Sequence, residues 1–272
     1  MNNYQKDSFD NNSGNYNTKV NDFYSFSDND AYYSNNNSNS YYNNSATMSS
    51  FGEVVESNQS KVVARSFLVL CVVLLLSGIT AIISADSVER LLNTNPGAFV
   101  GALVAELVVV FIANFAMSSK NDTLSIIMLV VYSIVNGYTL SAIFTWYDFG
   151  SIASIFFVCA VMFAVLGIVG STTKKSLSTI GAIGIMLLVG VLLVALINIF
   201  VGSQTIDFVI SIVGLAAFVG LTAYDFQRIK ELGASCTDDE VNTLAMYGAL
   251  MLYLDFINLF LKLLRLFARA RD

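Results

Sequence analysis

Leu252-Tyr253-Leu254-Asp255-Phe256-Ile257-Asn258-Leu259-Phe260 lies inside an apolar run from Leu244 to Leu261 and sets a carboxylate in its middle. An ionised carboxylate in hydrocarbon costs roughly 2.5 to 3.5 kcal/mol even on insertion scales. A chain keeps such a cost where the group has a partner, water or a task. A second acid, Asp225, ends the preceding apolar run, in Leu221-Thr222-Ala223-Tyr224-Asp225-Phe226-Gln227-Arg228-Ile229-Lys230. These two carboxylates are the centre of the functional reading.

The rest of the chain explains what encloses them. Of 272 residues, 55% are hydrophobic and 12% charged, with one proline and no histidine. Soluble domains carry about 25% charged residues. Apolar runs of roughly 20 residues, the length of a membrane-spanning helix, follow one another here. The fold class is therefore an all-α polytopic membrane protein. A β-barrel would show short alternating segments instead.

Seven spans are predicted, at about 66–85, 98–117, 124–147, 151–170, 177–200, from 206 past Asp225, and 244–261. Pro96 opens the second at a helix-start position. The short connections between them predict antiparallel neighbours.

Residues 1–60 are rich in Asn, Ser, Tyr and Asp and carry five of the six net negative charges. With so little aliphatic surface they are expected to be a disordered cytoplasmic tail, while residues 61–272 form the membrane domain. Self-association, or binding of a protein partner, is the minority reading for such a tail. It lacks the basic start and short apolar core of a secretory signal. No basic cluster points to nucleic acid.

Orientation follows Lys and Arg near the span ends. Lys61, Arg65, Lys120, Lys174, Lys175, Arg228 and Lys230 fall on one side. Arg90 falls on the other, among Asp86, Glu89, Asp148 and Asp207. The amino terminus is expected in the cytoplasm, of a bacterial cell. Lys262, Arg265, Arg269 and Arg271 disagree: either the seventh helix crosses despite them, as favoured here, or it is re-entrant.

Asp255 lies about 16 Å into its helix and Asp225 roughly 10 Å into its own. Gly248, Met251, Asp255, Asn258 and Lys262 share one face of the seventh helix; Phe218, Leu221, Thr222, Asp225 and Arg228 share one of the sixth. Two carboxylates in one dry site cannot both ionise cheaply. They would share a proton at low pH and repel, or take up a cation, at higher pH. For Asp225 a salt bridge to Arg228 is the equal alternative.

Glu106 is a third acid inside a span, expected to line the same cavity or to pair with Asn114 or Asn136. Asn136, Asn198 and Asn258 read as hydrogen-bonding glue between helices. Gly181, Gly184, Gly190, Gly214 and Gly220 are expected to allow close packing. Cys71, Cys159 and Cys236 form no metal-ligand pattern and read as structural thiols.

At these residues the chain resembles the Bax inhibitor-1 family. The resemblance rests on Thr222-Ala223-Tyr224-Asp225-Phe226-Gln227-Arg228-Ile229 and on Gly248-Ala249-Leu250 through Leu252–Phe260, with weaker support from Asn136-Gly137-Tyr138-Thr139-Leu140-Ser141. It covers residues 60–272. The resemblance implies seven helices with the last one central, membrane lipids around them, and a pH-dependent calcium leak. Calcium and protons would be its ions, with no cofactor, and Asp225 and Asp255 its gate and calcium-binding carboxylates. Tyr224, Glu106, Asn136, Asn258 and Arg228 would support them. Relatives lock one aspartate with a basic residue on the second helix; here the nearest is Lys120, past that span, and Arg228 is the candidate substitute.

Two other classes stay open. An intramembrane aspartyl protease would use the same two acids, but its glycine-rich approach and downstream proline are missing, and no other enzyme motif is present. A regulatory partner of a membrane protease or of cell-death machinery would use the tail.

Overall fold

A computed structural model of the chain describes residues 38–117 and 121–267. The chain divides into residues 1–50 and 51–272. Of the first unit only the backbone of residues 38–50 is described, and it is helical.

Seven long helices account for the fold: α1 (Ser38–Thr94), α2 (Pro96–Met117), α3 (Asp122–Leu140), α4 (Phe149–Thr172), α5 (Ser178–Val201), α6 (Gln204–Ala234) and α7 (Val241–Phe267). Each is long and apolar enough to cross a membrane. Side chains set their ends. Asn121 Oδ1 accepts the amide of Leu124 at 3.1 Å to start α3, and Asp148 accepts that of Ser151 to start α4. Gly202 ends α5 in the left-handed region, at φ 66°.

α7 is the hub. Ala245, Ala249, Leu252, Tyr253 and Leu259 are wholly buried on different sides of it, and α2, α3, α4 and α6 pack against it. α5 instead packs chiefly on α6, where Gly181 admits the ring of Tyr224 and Gly184 admits Leu221. An aromatic set binds α4 to α6 and α7. Phe163 meets Phe226 at 5.3 Å and Phe256 at 5.4 Å, both edge-on. Such pairs contribute about 0.5–1.5 kcal/mol each beyond area burial.

Four expectations need correction or sharpening. Residues 38–60, assigned to a disordered tail, are helical. Within them Asn58 is buried and donates to the Cys236 carbonyl, because the turn after α6 supplies a partner that composition does not reveal. The rest of that expectation, for residues 1–37, lies outside the described residues. The third span breaks at Ser141–Ala142 and resumes as a single turn, Ile143–Trp146. Gly190 faces open space, so it is no packing glycine. Finally α7 is unbroken from Val241 to Phe267, without the turn that a re-entrant segment requires. Lys120, Arg269 and Arg271 lie outside the described residues.

Candidate functional site

α6 and α7 are joined by a short connection holding the 3-10 turn Asp238–Glu240, so they run antiparallel in contact. Their two predicted stripes meet. The carboxyls of Asp225 and Asp255 come within hydrogen-bonding reach of one another. Asp255 is only 6% exposed. The hydroxyl of Thr222 lies beside Asp255, yet neither Asp255 Oδ2 nor Thr222 Oγ1 closes a well-directed hydrogen bond. Gly248, further back on the α7 stripe, leaves room for Ser66 of α1 and Ile229 of α6. Chemically, such a pair can hold one proton between its oxygens, or one cation.

Arg228 is exposed and makes no ion pair with Asp225 within 4.0 Å; among the described residues the only one is Lys61–Asp238. Tyr224 points away, towards Gly181 on α5. Asn258 donates to the Leu254 carbonyl of its own helix at 2.7 Å, so it is not interhelical glue. A side chain one turn from a free carbonyl lone pair takes the local bond first. Asn198 does join two helices: from α5 it donates to Ser203 O and to Asp207 Oδ1 of α6, closing the α5–α6 connection.

Glu106 stands apart from the aspartates. Of the two expected alternatives it takes the second, pairing with Asn136. The Asn136 amide donates to one Glu106 oxygen, and Thr139 Oγ1 donates to the other at 2.7 Å. Asn136 Oδ1 accepts from the Tyr253 hydroxyl at 2.7 Å, and that hydroxyl lies 2.6 Å from Ser77 Oγ. Four helices, α1, α2, α3 and α7, are thus tied through side chains at one level.

Two residues of consequence escaped the sequence reading. Tyr253 is the hub of this network, and a phenol in an apolar run was the available signal, since a buried hydroxyl needs a partner. Gln227, two residues after Asp225, accepts the Leu177 amide at 2.7 Å and donates to the Lys175 carbonyl at 2.9 Å, pinning the α4–α5 connection to α6. Its signal was an uncharged amide between Phe226 and Arg228 in the Asp225 motif. Outside the spans, burial first and then the Glu240 carboxylate push the Cys236 thiol above its ordinary range.

A resident calcium site needs six to eight oxygens. Asp225, Asp255 and Thr222 supply too few, and among the described residues no three Asp, Glu, Cys or His gather as a metal cluster. A calcium ion held there would need water to complete its shell.

Three relatives align over most of the chain. Inner membrane protein YbhL of Escherichia coli (strain K12) is 39% identical over 203 residues, 73% of this chain and 87% of that protein. A protein of Borreliella burgdorferi is 34% identical over 218 residues, 79% and 94% of the two chains. A membrane protein of Streptococcus pyogenes serotype M1 is 36% identical over 184 residues, 68% and 80%. The family profile described as "Inhibitor of apoptosis-promoting Bax1" matches residues 59–272. This multi-pass membrane protein therefore belongs to the Bax inhibitor-1 family, which is not a family of enzymes.

Proposed function

We propose that the chain is a proton-sensitive leak channel or carrier for calcium, with Asp225 and Asp255 as its gate. One observation carries the reading: two carboxyls from different helices stand within hydrogen-bonding reach in the interior of the bundle, with an Asp255 oxygen left unpaired. A calcium leak or channel role is known for the family.

The physical sequence is short. With one proton between them the carboxyls attract, and α6 and α7 stay closed. Loss of that proton leaves two like charges in a poorly solvated seam, which either part or draw in a cation. Calcium suits this because its flexible coordination accepts two carboxylates, a hydroxyl and remaining water at 2.3–2.6 Å. Protons and calcium then compete for the same oxygens, so calcium affinity rises with pH. The amino terminus lies in the cytoplasm, by the charge bias of the loops, and the membrane is that of a bacterial cell.

Calcium flux into dye-loaded liposomes, measured against pH, tests the reading. The wild-type protein gives a pH-dependent flux. Asp255→Asn, which keeps shape but cannot ionise, gives a flux that is flat with pH. A pH profile of Asp255→Asn that matches the wild type would overturn the proposal.

A further inference from the structure

The interface of α6 and α7 continues beyond the aspartates, towards the α7 carboxyl end. Lys262 lies two turns past Asp255 on the same stripe. Its side chain does not point freely outwards. It lies across the α6 backbone at Gly214, where an added Cβ would stand 3.0 Å from Cε and 3.5 Å from Nζ. Gly214 leaves the room that this long side chain occupies, and Lys262 is partly buried.

Among the described residues the ammonium has no carboxylate within 4.0 Å. The charged groups that act on it are Arg265, one turn on along α7, and Asp207, at the start of α6. Asp207 is itself held by the Asn198 amide at 2.9 Å, and buried Ser211 donates to its carbonyl. The seam therefore holds, in order, the aspartate pair, a fixed positive charge and a second carboxylate.

We propose that Lys262 is a built-in competing cation: its ammonium occupies the α6–α7 seam between the aspartate pair and Asp207, and thereby limits cation flux and disfavours divalent ions. This rests on the reading of the aspartate pair as a cation route. A cation leaving the pair towards the α7 carboxyl end must pass the ammonium or displace it. Gly214 stands eleven residues from Asp225 on α6, so the ammonium lies roughly 16 Å from the pair along the axis. A cation that must pass within about 6 Å of it, even with the dielectric of bulk water between them, is slowed about threefold if monovalent and about tenfold if divalent.

The test compares calcium and potassium flux in liposomes. Lys262→Met keeps most of the stem and removes the charge. It should raise calcium flux about tenfold and potassium flux about threefold, so the ratio of the two moves. A merely structural lysine would move both fluxes together. Lys262→Cys should show the same rise, and modification with an aminoethyl thiosulfonate, which restores an ammonium, should reverse it. A neutral methyl thiosulfonate should not, and treated wild-type protein is the control for the native thiols. Where Lys262→Met does not fold, the cysteine variant modified before purification supplies the same comparison. Wild-type flux ratios in the uncharged variants, or no reversal by the ammonium reagent, would overturn the proposal. If that happens while Asp255→Asn still flattens the pH profile, only the role of Lys262 falls. If Asp255→Asn behaves as wild type, the route itself falls.

Discussion

A single methyl group at Gly170 should pry α4 from α6. An alanine Cβ there would stand 2.3 Å from the Ala223 carbonyl oxygen and 2.9 Å from Phe226 Cβ. The first of these is backbone and cannot turn aside, so the two helices must separate by roughly an ångström. That movement also loosens the edge-on contact of Phe226 with Phe163. Overpacking of this kind costs about 1–3 kcal/mol. The better helix propensity of alanine offsets about 1 kcal/mol, leaving a net destabilisation of about 0–2 kcal/mol against wild type and about 1–3 kcal/mol against a glycine-to-alanine change that meets no neighbour. Gly190→Ala is the matched control, because nothing lies within 4 Å of its added methyl; it should be neutral or slightly stabilising. Unfolding by an SDS titration in mixed micelles, followed by circular dichroism, reads both. A Gly170→Ala protein as stable as Gly190→Ala would refute the packing of α4 against α6 described above.

Tyr253→Phe should cost about 0.6–1.7 kcal/mol, the range of side-chain hydrogen bonds between membrane helices, since its hydroxyl joins Asn136 and Ser77. Combined with Asn136→Leu the loss should be less than the sum of the two; additivity within about 0.3 kcal/mol would show that no shared network exists. Cys236 should alkylate at least about threefold more slowly than an unhindered cysteine at pH 7.5, because its raised thiol leaves less thiolate. The gap should close as pH rises through the shifted value. Peptide-resolved mass spectrometry measures this, and equal rates at pH 7.5 would contradict the buried setting of the thiol.

The spans were legible because a stretch of about 20 apolar residues has few other uses. Their limits were not, since a helix does not stop where the hydrocarbon does. α1 runs on through Asp86, Glu89 and Arg90 until Asn95 and Pro96 end it, and composition gives no weight to that continuation. The stripes carrying Asp225 and Asp255 follow from a period of 3.6 residues, which fixes who shares a face. It does not fix which face a neighbouring helix covers. Tyr224 was grouped with the aspartates through the family resemblance and Asn258 through its place on the Asp255 face, and packing sent one to α5 and the other to its own backbone. Glu106 was legible as an acid in need of a partner, and Asn136 was among those named. Thr139 and Tyr253 were not, because hydroxyls in apolar runs carry no charge to draw notice.

The two polar sides of α7 differ in how completely they are satisfied, and that difference bears on where the bundle can open. Tyr253 and Asp255 are two residues apart, so they project to nearly opposite sides of the helix. On the Tyr253 side every oxygen named has a partner in α1, α2 or α3. At the α6 seam, Asp255 Oδ2 and Thr222 Oγ1 are buried without one. A buried polar atom left unpaired costs about 1–3 kcal/mol, and admitting water or a cation recovers that cost. Separating α7 from α3 would break bonds already made, whereas separating it from α6 would satisfy atoms that have none. The cheaper motion therefore leaves α7 with α1–α3 and moves α6. If the aspartate pair is the gate proposed above, the opening lies along the seam that holds Asp225, Asp255 and Lys262, and the central helix need not move at all.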